Sequence, residues 1–218
     1  MSADYHKYLI DFENRKIIGD FDAAYRNCDD VYPTQHDVRT PKHRIIRSLI
    51  AEMDGPLRLL DVGCGYGDFT ADLVNDFDVD GTGIDISDAA IRKGRERFDN
   101  GVQLEVGDLE QGLRWDDEAF DVVLCLGVVA YYLDRLDVLF AELVRVTRAG
   151  GTLVVSAYVP PNPIGGDQVG DYAALLRVAG RYLDVEQLLR VYDPSEIFKG
   201  QPLDACPDDL VIFGRARS

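Results

Sequence analysis

At 218 residues with 46% hydrophobic content, the chain fits one domain and can bury a core without disulfide or metal staples. A formal net charge of −16 repels polyphosphate backbones and argues against a nucleic-acid substrate. No stretch approaches the roughly 18 apolar residues of a membrane span, Met1–Ile10 lacks the apolar core of a signal peptide, and the scattered Cys28, Cys64, Cys125 and Cys206 have no metal-binding spacing, so a cytoplasmic chain with reduced thiols is expected.

In chain order, Lys7–Ile18 and Asp20–Arg26 read as helices, Cys28–Arg39 as a loop, and Pro41–Met53 as a helix whose proline suits the first turn. Arg39, Lys42, His43, Arg44 and Arg47 read as a solvated helix face rather than a binding patch. A regular alternation follows. Strands are expected at Leu57–Val62, Gly81–Ile86, Val102–Val106, Phe120–Leu126 and Gly151–Ala157. Helices are expected between them at Asp68–Phe77, at Asp88–Phe98 with Ser87 as its cap, and at Leu136–Thr147. Phe120–Leu126 is almost wholly apolar, as a strand covered on both faces should be. Such alternation builds a parallel α/β sheet with right-handed crossovers. Tyr158–Gly170 is loop, Asp171–Tyr182 helix, and Val185–Val191 and Asp209–Arg215 two last strands. Pro194, Gly200, Pro202 and Pro207 break the bridge between those strands. Residues 57–157 thus form the core, 1–56 an N-terminal helical cap, and 158–218 an insertion with the C-terminal strands, all within one domain.

The chemistry centres on Leu59-Leu60-Asp61-Val62-Gly63-Cys64-Gly65-Tyr66-Gly67, which leaves a strand and opens a helix. A glycine-rich turn at a strand's carboxyl end lets a ligand approach the backbone at the mouth of an open sheet. The spacing is GxGxG rather than GxGxxG, and Asp61 stands two residues before the first glycine. A carboxylate there would repel a pyrophosphate but suits an ammonium, so a cofactor bearing an amino acid fits better than NAD. Asp85, ending the next strand in Gly83-Ile84-Asp85-Ile86-Ser87, matches an acid that accepts ribose hydroxyls; capping the next helix is its plainer role. Asp108, in Val106-Gly107-Asp108-Leu109, can accept an adenine amino group with Leu109 and Leu126 about the ring, or simply close a turn. The three acids fall at successive strand ends, which a parallel sheet gathers along one edge.

Leu60–Gly67, Gly83–Ser87, Gly107–Leu109 and Phe120–Leu126 resemble, in order, the motifs of the class I S-adenosylmethionine (SAM)-dependent methyltransferases. Glu142–Leu153 is similar to that family's entry to the fifth strand. The resemblance spans residues 57–157. It implies a three-layer Rossmann-like sandwich with a seven-stranded, mostly parallel sheet whose last strand inserts antiparallel. It further implies SAM as cofactor, S-adenosylhomocysteine (SAH) as product and no metal. Carried over by position, Asp61 and Gly63, Cys64, Gly65, Tyr66 and Gly67 face the methionine part, Asp85 the ribose, and Asp108 and Leu109 the adenine; beside them Ile86, Leu126 and Tyr25 are expected among the cofactor-binding residues.

Where many relatives have a histidine after the fourth strand, this chain has Tyr131 and Tyr132. It has no Asn/Asp-Pro-Pro-Tyr at that point and no Pro-Cys nucleophile, which counts against methylation of nucleic-acid bases and protein glutamine. Phe21-x-x-x-Tyr25 followed by Cys28–Pro33 resembles small-molecule and sugar methyltransferases of bacterial secondary metabolism. The expected acceptor is therefore a small molecule, with a lean to O-methylation of a sugar or secondary metabolite. His36 is the candidate base, and Tyr131 the other candidate catalytic residue, with Tyr25 and Tyr32 as a lid or wall. Plain packing and an ordinary surface histidine are the competing readings of these residues. A SAM-binding sensor or partner subunit without catalysis, and an NAD-dependent oxidoreductase, are the alternative functions. The sequence leaves the oligomeric state open.

Overall fold

The alternation of buried strands and amphipathic helices produces three layers. The computed structural model describes residues 5–11, 13–14, 16–29, 31–32, 37–158, 172–192 and 208–217. Seven strands, β3 (Leu57–Val62), β4 (Val79–Asp85), β5 (Gln103–Val106), β6 (Phe120–Leu126), β7 (Thr147–Tyr158), β8 (Leu183–Tyr192) and β9 (Asp208–Ala216), lie in the order β5-β4-β3-β6-β7-β9-β8. β9 alone runs against the rest, inserted between β7 and β8. The chain leaves β3 toward one edge and returns to β6, so the order reverses between these two strands, where open α/β sheets bind ligands.

Alternate residues of the central strands feed two separate cores. Leu60, Val62, Val123, Cys125, Leu153 and Val155 pack with α6 (Leu136–Val146) and α7 (Tyr172–Tyr182). Leu57, Leu59, Val122, Leu124, Leu126 and Val154 pack with α3 (Pro41–Ala51) and α4 (Asp68–Asp76). That two-sided burial is why β6 carries so little polarity. Helix α5 (Asp88–Arg97) is capped by Ser87, whose hydroxyl accepts from Ala90 N at 3.1 Å. Arg145 on α6 explains part of the fifth-strand motif. Its guanidinium donates to the carbonyls of Leu113 and Trp115 and to the carboxylates of Glu142 and Asp117, pinning the approach to β6.

The N-terminal region departs from expectation. Instead of one helix over Lys7–Ile18, a single turn, α1 (His6–Leu9), leads into a hairpin of β1 (Ile10–Asp11) and β2 (Lys16–Ile17). Asp11 closes it by accepting from the backbone and side-chain nitrogens of Asn14 at 3.0 and 2.7 Å. These side chains compete with the helix for backbone partners. The first forty residues therefore do contribute strands, although not to the main sheet. α2 (Phe21–Asn27) starts one residue later than read, because Asp20 is its cap and accepts from Ala23 N. The basic cluster is not uniformly solvated either. Lys42 and His43 are buried, and Arg47 pairs with Asp72 and Asp76 on α4. His36, Cys206, Pro160–Pro163 and the bridge between β8 and β9 lie outside the described residues. Among the described residues no helix is long and apolar enough to cross a membrane.

Candidate cofactor site at the carboxyl ends of β3 to β6

The glycine-rich turn takes its shape from backbone angles only glycine adopts without strain. Gly63, Gly65 and Gly67 have φ of 77°, 59° and 82°. A Cβ at Gly63 would also overlap the side chain of Val128, just beyond β6, so this glycine lets the two central loops close together. Tyr66 is buried between the turn and the N-terminal region, where Tyr25 meets it edge-on with centroids 5.0 Å apart.

Asp61, the penultimate residue of β3, has only 4% of its surface exposed. Its Oδ2 accepts from the Thr70 hydroxyl at 2.8 Å. Burial lifts its carboxyl to about 6; the Thr70 bond and the charge of Lys42 pull it down, and Asp85 pushes it up. A buried acid under such tension is relieved by a cation. Asp85 uses both oxygens on backbone, Oδ2 accepting from Gly65 N at 2.8 Å and Oδ1 from Ser87 N at 2.9 Å. It therefore staples the glycine turn to β4 as well as standing at the mouth. Asp108 caps a single 3-10 turn, Leu109–Gln111, accepting from Glu110 N at 2.9 Å and Gln111 Nε2 at 3.1 Å. The turn reading of Asp108 is thus realised. Ile86 and Val106 are about half exposed at the ends of β4 and β5, beside these acids.

Other predicted residues are distributed less simply. Leu109 packs into the cluster that holds α6 and α7, and Leu126 into the one that holds α3 and α4. The Cys64 thiol is pushed well above its ordinary range by burial and by Asp85 and Asp61, which keeps it protonated. The three tyrosines do converge. Tyr32 and Tyr131 bond hydroxyl to hydroxyl, and Phe21 of α2 meets Tyr131 edge-on at 4.8 Å. Burial raises the phenols of Tyr25, Tyr32 and Tyr131 above 10. At neutral pH Tyr131 is consequently a neutral hydrogen-bonding group and not a base. Among the described residues no group of His, Cys, Asp and Glu is placed to hold a metal.

Lys42, read from sequence as part of a solvated face, acts here by its charge on Asp61, and two residues that the sequence did not single out complete the surroundings, Thr70 by its bond and Gly94 by its lack of a side chain. Only Gly94, a lone glycine within a helical pattern, carried a local signal.

A three-layer sheet with a glycine turn and successive strand-end acids at its point of reversal defines an α/β nucleotide-cofactor-binding protein. Residues 59–151 match the family described as "Methyltransferase domain". 27-O-demethylrifamycin SV methyltransferase of Amycolatopsis mediterranei is 34% identical over 114 residues, covering 50% of this chain and 41% of that protein. Ajmaline N-methyltransferase of Rauvolfia serpentina is 28% identical over 109 residues, 48% of this chain and 37% of that protein. The chain thus spans less than half the length of these relatives. The N-methyltransferase NodS of Bradyrhizobium japonicum WM9, solved with SAH, superposes with a TM-score of 0.63 at 19% identity over 87% of this chain and 93% of that one, a likeness of fold. Residues 59–151 thus match a methyltransferase domain, and these likenesses together support a SAM-dependent methyltransferase of the class I, Rossmann-like fold.

Proposed function

We propose that this chain binds SAM across the carboxyl ends of β3, β4 and β5 and transfers its methyl group to a small-molecule acceptor. Asp61 carries the proposal: it is a buried carboxylate beside a glycine turn, held near 6 by desolvation, and a cation would stabilise its charged form. The donor chemistry fits the cofactor. Asp61 and the turn from Gly63 to Gly67 receive the amino-acid end, with its ammonium on the carboxylate. Asp85 and Ile86 take the ribose, the hydroxyls donating to oxygens that already hold the turn. The loop at Asp108 and Leu109 lies on the adenine side, and exposed Ile86 and Val106 offer apolar surface to the base.

The bound cofactor supplies an electrophilic methyl group on sulfur, open to in-line attack. The chain's own task is alignment and exclusion of water. Tyr25, Tyr32 and Tyr131 form an aromatic wall whose neutral hydroxyls orient an acceptor by hydrogen bonding. His36 is the proposed base for a hydroxyl acceptor. O-methylation of a sugar or secondary metabolite remains the leading acceptor class; the rifamycin relative is named for an O-methyl site and the ajmaline relative for nitrogen. The region 1–56 acts as cap and the region beyond 157 as the acceptor side, within a single cytoplasmic domain that needs no metal.

Calorimetry with SAH, followed by a turnover screen of sugars, nucleotide sugars, phenols and amines, tests this. Binding with turnover on one class supports the proposal. Absence of heat at millimolar SAH overturns it, and tight binding without turnover on any class favours a SAM-binding sensor or partner subunit.

A further inference from the structure

Helices α2 and α5 lie side by side with their starts together, and each satisfies groups the other leaves open. The first amides of an α-helix and its last carbonyls have no partners inside the helix. Asp22, in the first turn of α2, sends Oδ1 to the start of α5, where it accepts from Ala89 N at 2.8 Å and from the Ser87 hydroxyl at 3.2 Å. Lys93, further along α5, donates from Nζ to the carbonyl of Tyr25 at 2.6 Å, near the end of α2. Negative charge at a helix start and positive charge at a helix end both favour the joint. The apolar filling is Ala24, Tyr25 and Cys28 against Tyr66, Ala89 and Ala90.

The joint continues into the cofactor site. Ser87, which donates its hydroxyl to Asp22, also donates its amide to Asp85, and Asp85 accepts from Gly65 in the glycine turn. Hydrogen bonds therefore run without a gap from α2 through Ser87 and Asp85 to Gly65. We propose that Asp22 and Lys93 are positioning residues for methyl transfer: they seat Tyr25 and Tyr32 against Tyr66 and Tyr131, and through Ser87 and Asp85 they make seating of the N-terminal region depend on cofactor occupancy. The proposal rests on the reading that SAM binds at Asp85. Coupling of this kind is reciprocal, so occupancy tightens the joint and the joint tightens binding by the same factor.

The test is hydrogen exchange on the full chain with and without SAH, paired with calorimetry, for wild type, Asp22→Ala and Asp22→Asn. In wild type SAH slows exchange in both segments 60–70 and 16–29. In Asp22→Ala the slowing at 60–70 persists, that at 16–29 disappears, and the SAH Kd rises by about fivefold or more. Asp22→Asn retains an oxygen for the Ala89 amide and keeps most of the protection. If Asp22→Ala only melts earlier while SAH still slows 16–29 with an unchanged Kd, Asp22 is structural and the proposal is overturned. Wild type that protects 60–70 but not 16–29 overturns the coupling alone. Wild type with neither heat nor protection overturns the cofactor reading and the coupling with it.

Discussion

Gly94, midway along α5, lies directly against the backbone carbonyl of Tyr66 in the glycine turn, and a Cβ at position 94 would overlap that oxygen. The contact is with backbone, so no rotamer change relieves it. Gly94→Ala gains helix propensity yet must push α5 off the turn. We expect a net loss of about 1–3 kcal/mol, with a lower melting temperature and weaker SAH binding together. An unchanged melting temperature would show that α5 yields without cost.

Asp61 separates stability from binding. Burial lifts its carboxyl from the ordinary carboxylate range to about 6, so the folded state holds the proton more tightly than the unfolded chain. Its contribution to stability therefore falls as pH rises from about 4 to about 6. A bound ammonium reverses the preference, so SAH affinity should drop by up to about tenfold per unit as pH falls below about 6. Asp61→Asn keeps an oxygen for Thr70 and removes the buried charge. Its ligand-free melting temperature should rise, by about 2–4 °C per kcal/mol gained, while SAH binding weakens at least about tenfold and loses its pH dependence. Calorimetry across pH 5 to 8 checks both.

Asp85 has two tasks, and its substitutions should tell them apart. Asp85→Ala removes ribose acceptors, at about 1–3 kcal/mol of SAH binding, and also releases Gly65 N and Ser87 N. Faster exchange at the amides of residues 63–67 in the ligand-free mutant is expected along with the weaker binding. Asp85→Ala with wild-type exchange and wild-type affinity would remove it from both roles.

The N-terminal region is expected to behave as a cover for the acceptor. Asp37 and Thr40 anchor the start of α3, since the Asp37 carbonyl and the Thr40 hydroxyl both bond to His43 Nδ1 and Thr40 caps the helix. A deletion ending at residue 36 therefore spares that helix. The shortened protein should fold and bind SAH more weakly, because Tyr66 loses Tyr25, and should fail to methylate. Failure to fold would make the region core, and methylation at the full rate would exclude His36, Tyr25 and Tyr32 from the reaction.

The sheet and its glycine turn were legible because local physics writes them plainly. β6 is apolar but for Asp121, and the three glycines stand where the backbone needs a left-handed turn. Asp85 was visible by position, but its hold on Gly65 was not, since twenty residues separate them. The helix expected over Lys7–Ile18 failed for a local reason, the Asp11–Asn14 turn, which its apolar spacing masked. Asp22 and Lys93 gave no sign at all. Their partners lie 67 and 68 residues away, and only the assembled helices bring them together.

The order of strands carries a consequence for recombination. The strand-end acids Asp61, Asp85 and Asp108 all come from one unbroken stretch on the β3-β4-β5 side of the sheet, whereas the aromatic wall draws on α2, the Tyr32 loop and the turn after β6. A crossover placed at Gly127, after β6, would pass the three acids to a chimera intact while exchanging Tyr131 and everything beyond it. The junction most exposed to mismatch in such a chimera would be Gly127 itself, whose amide donates to the Ser156 hydroxyl at 3.0 Å and so stitches one parental segment to the other.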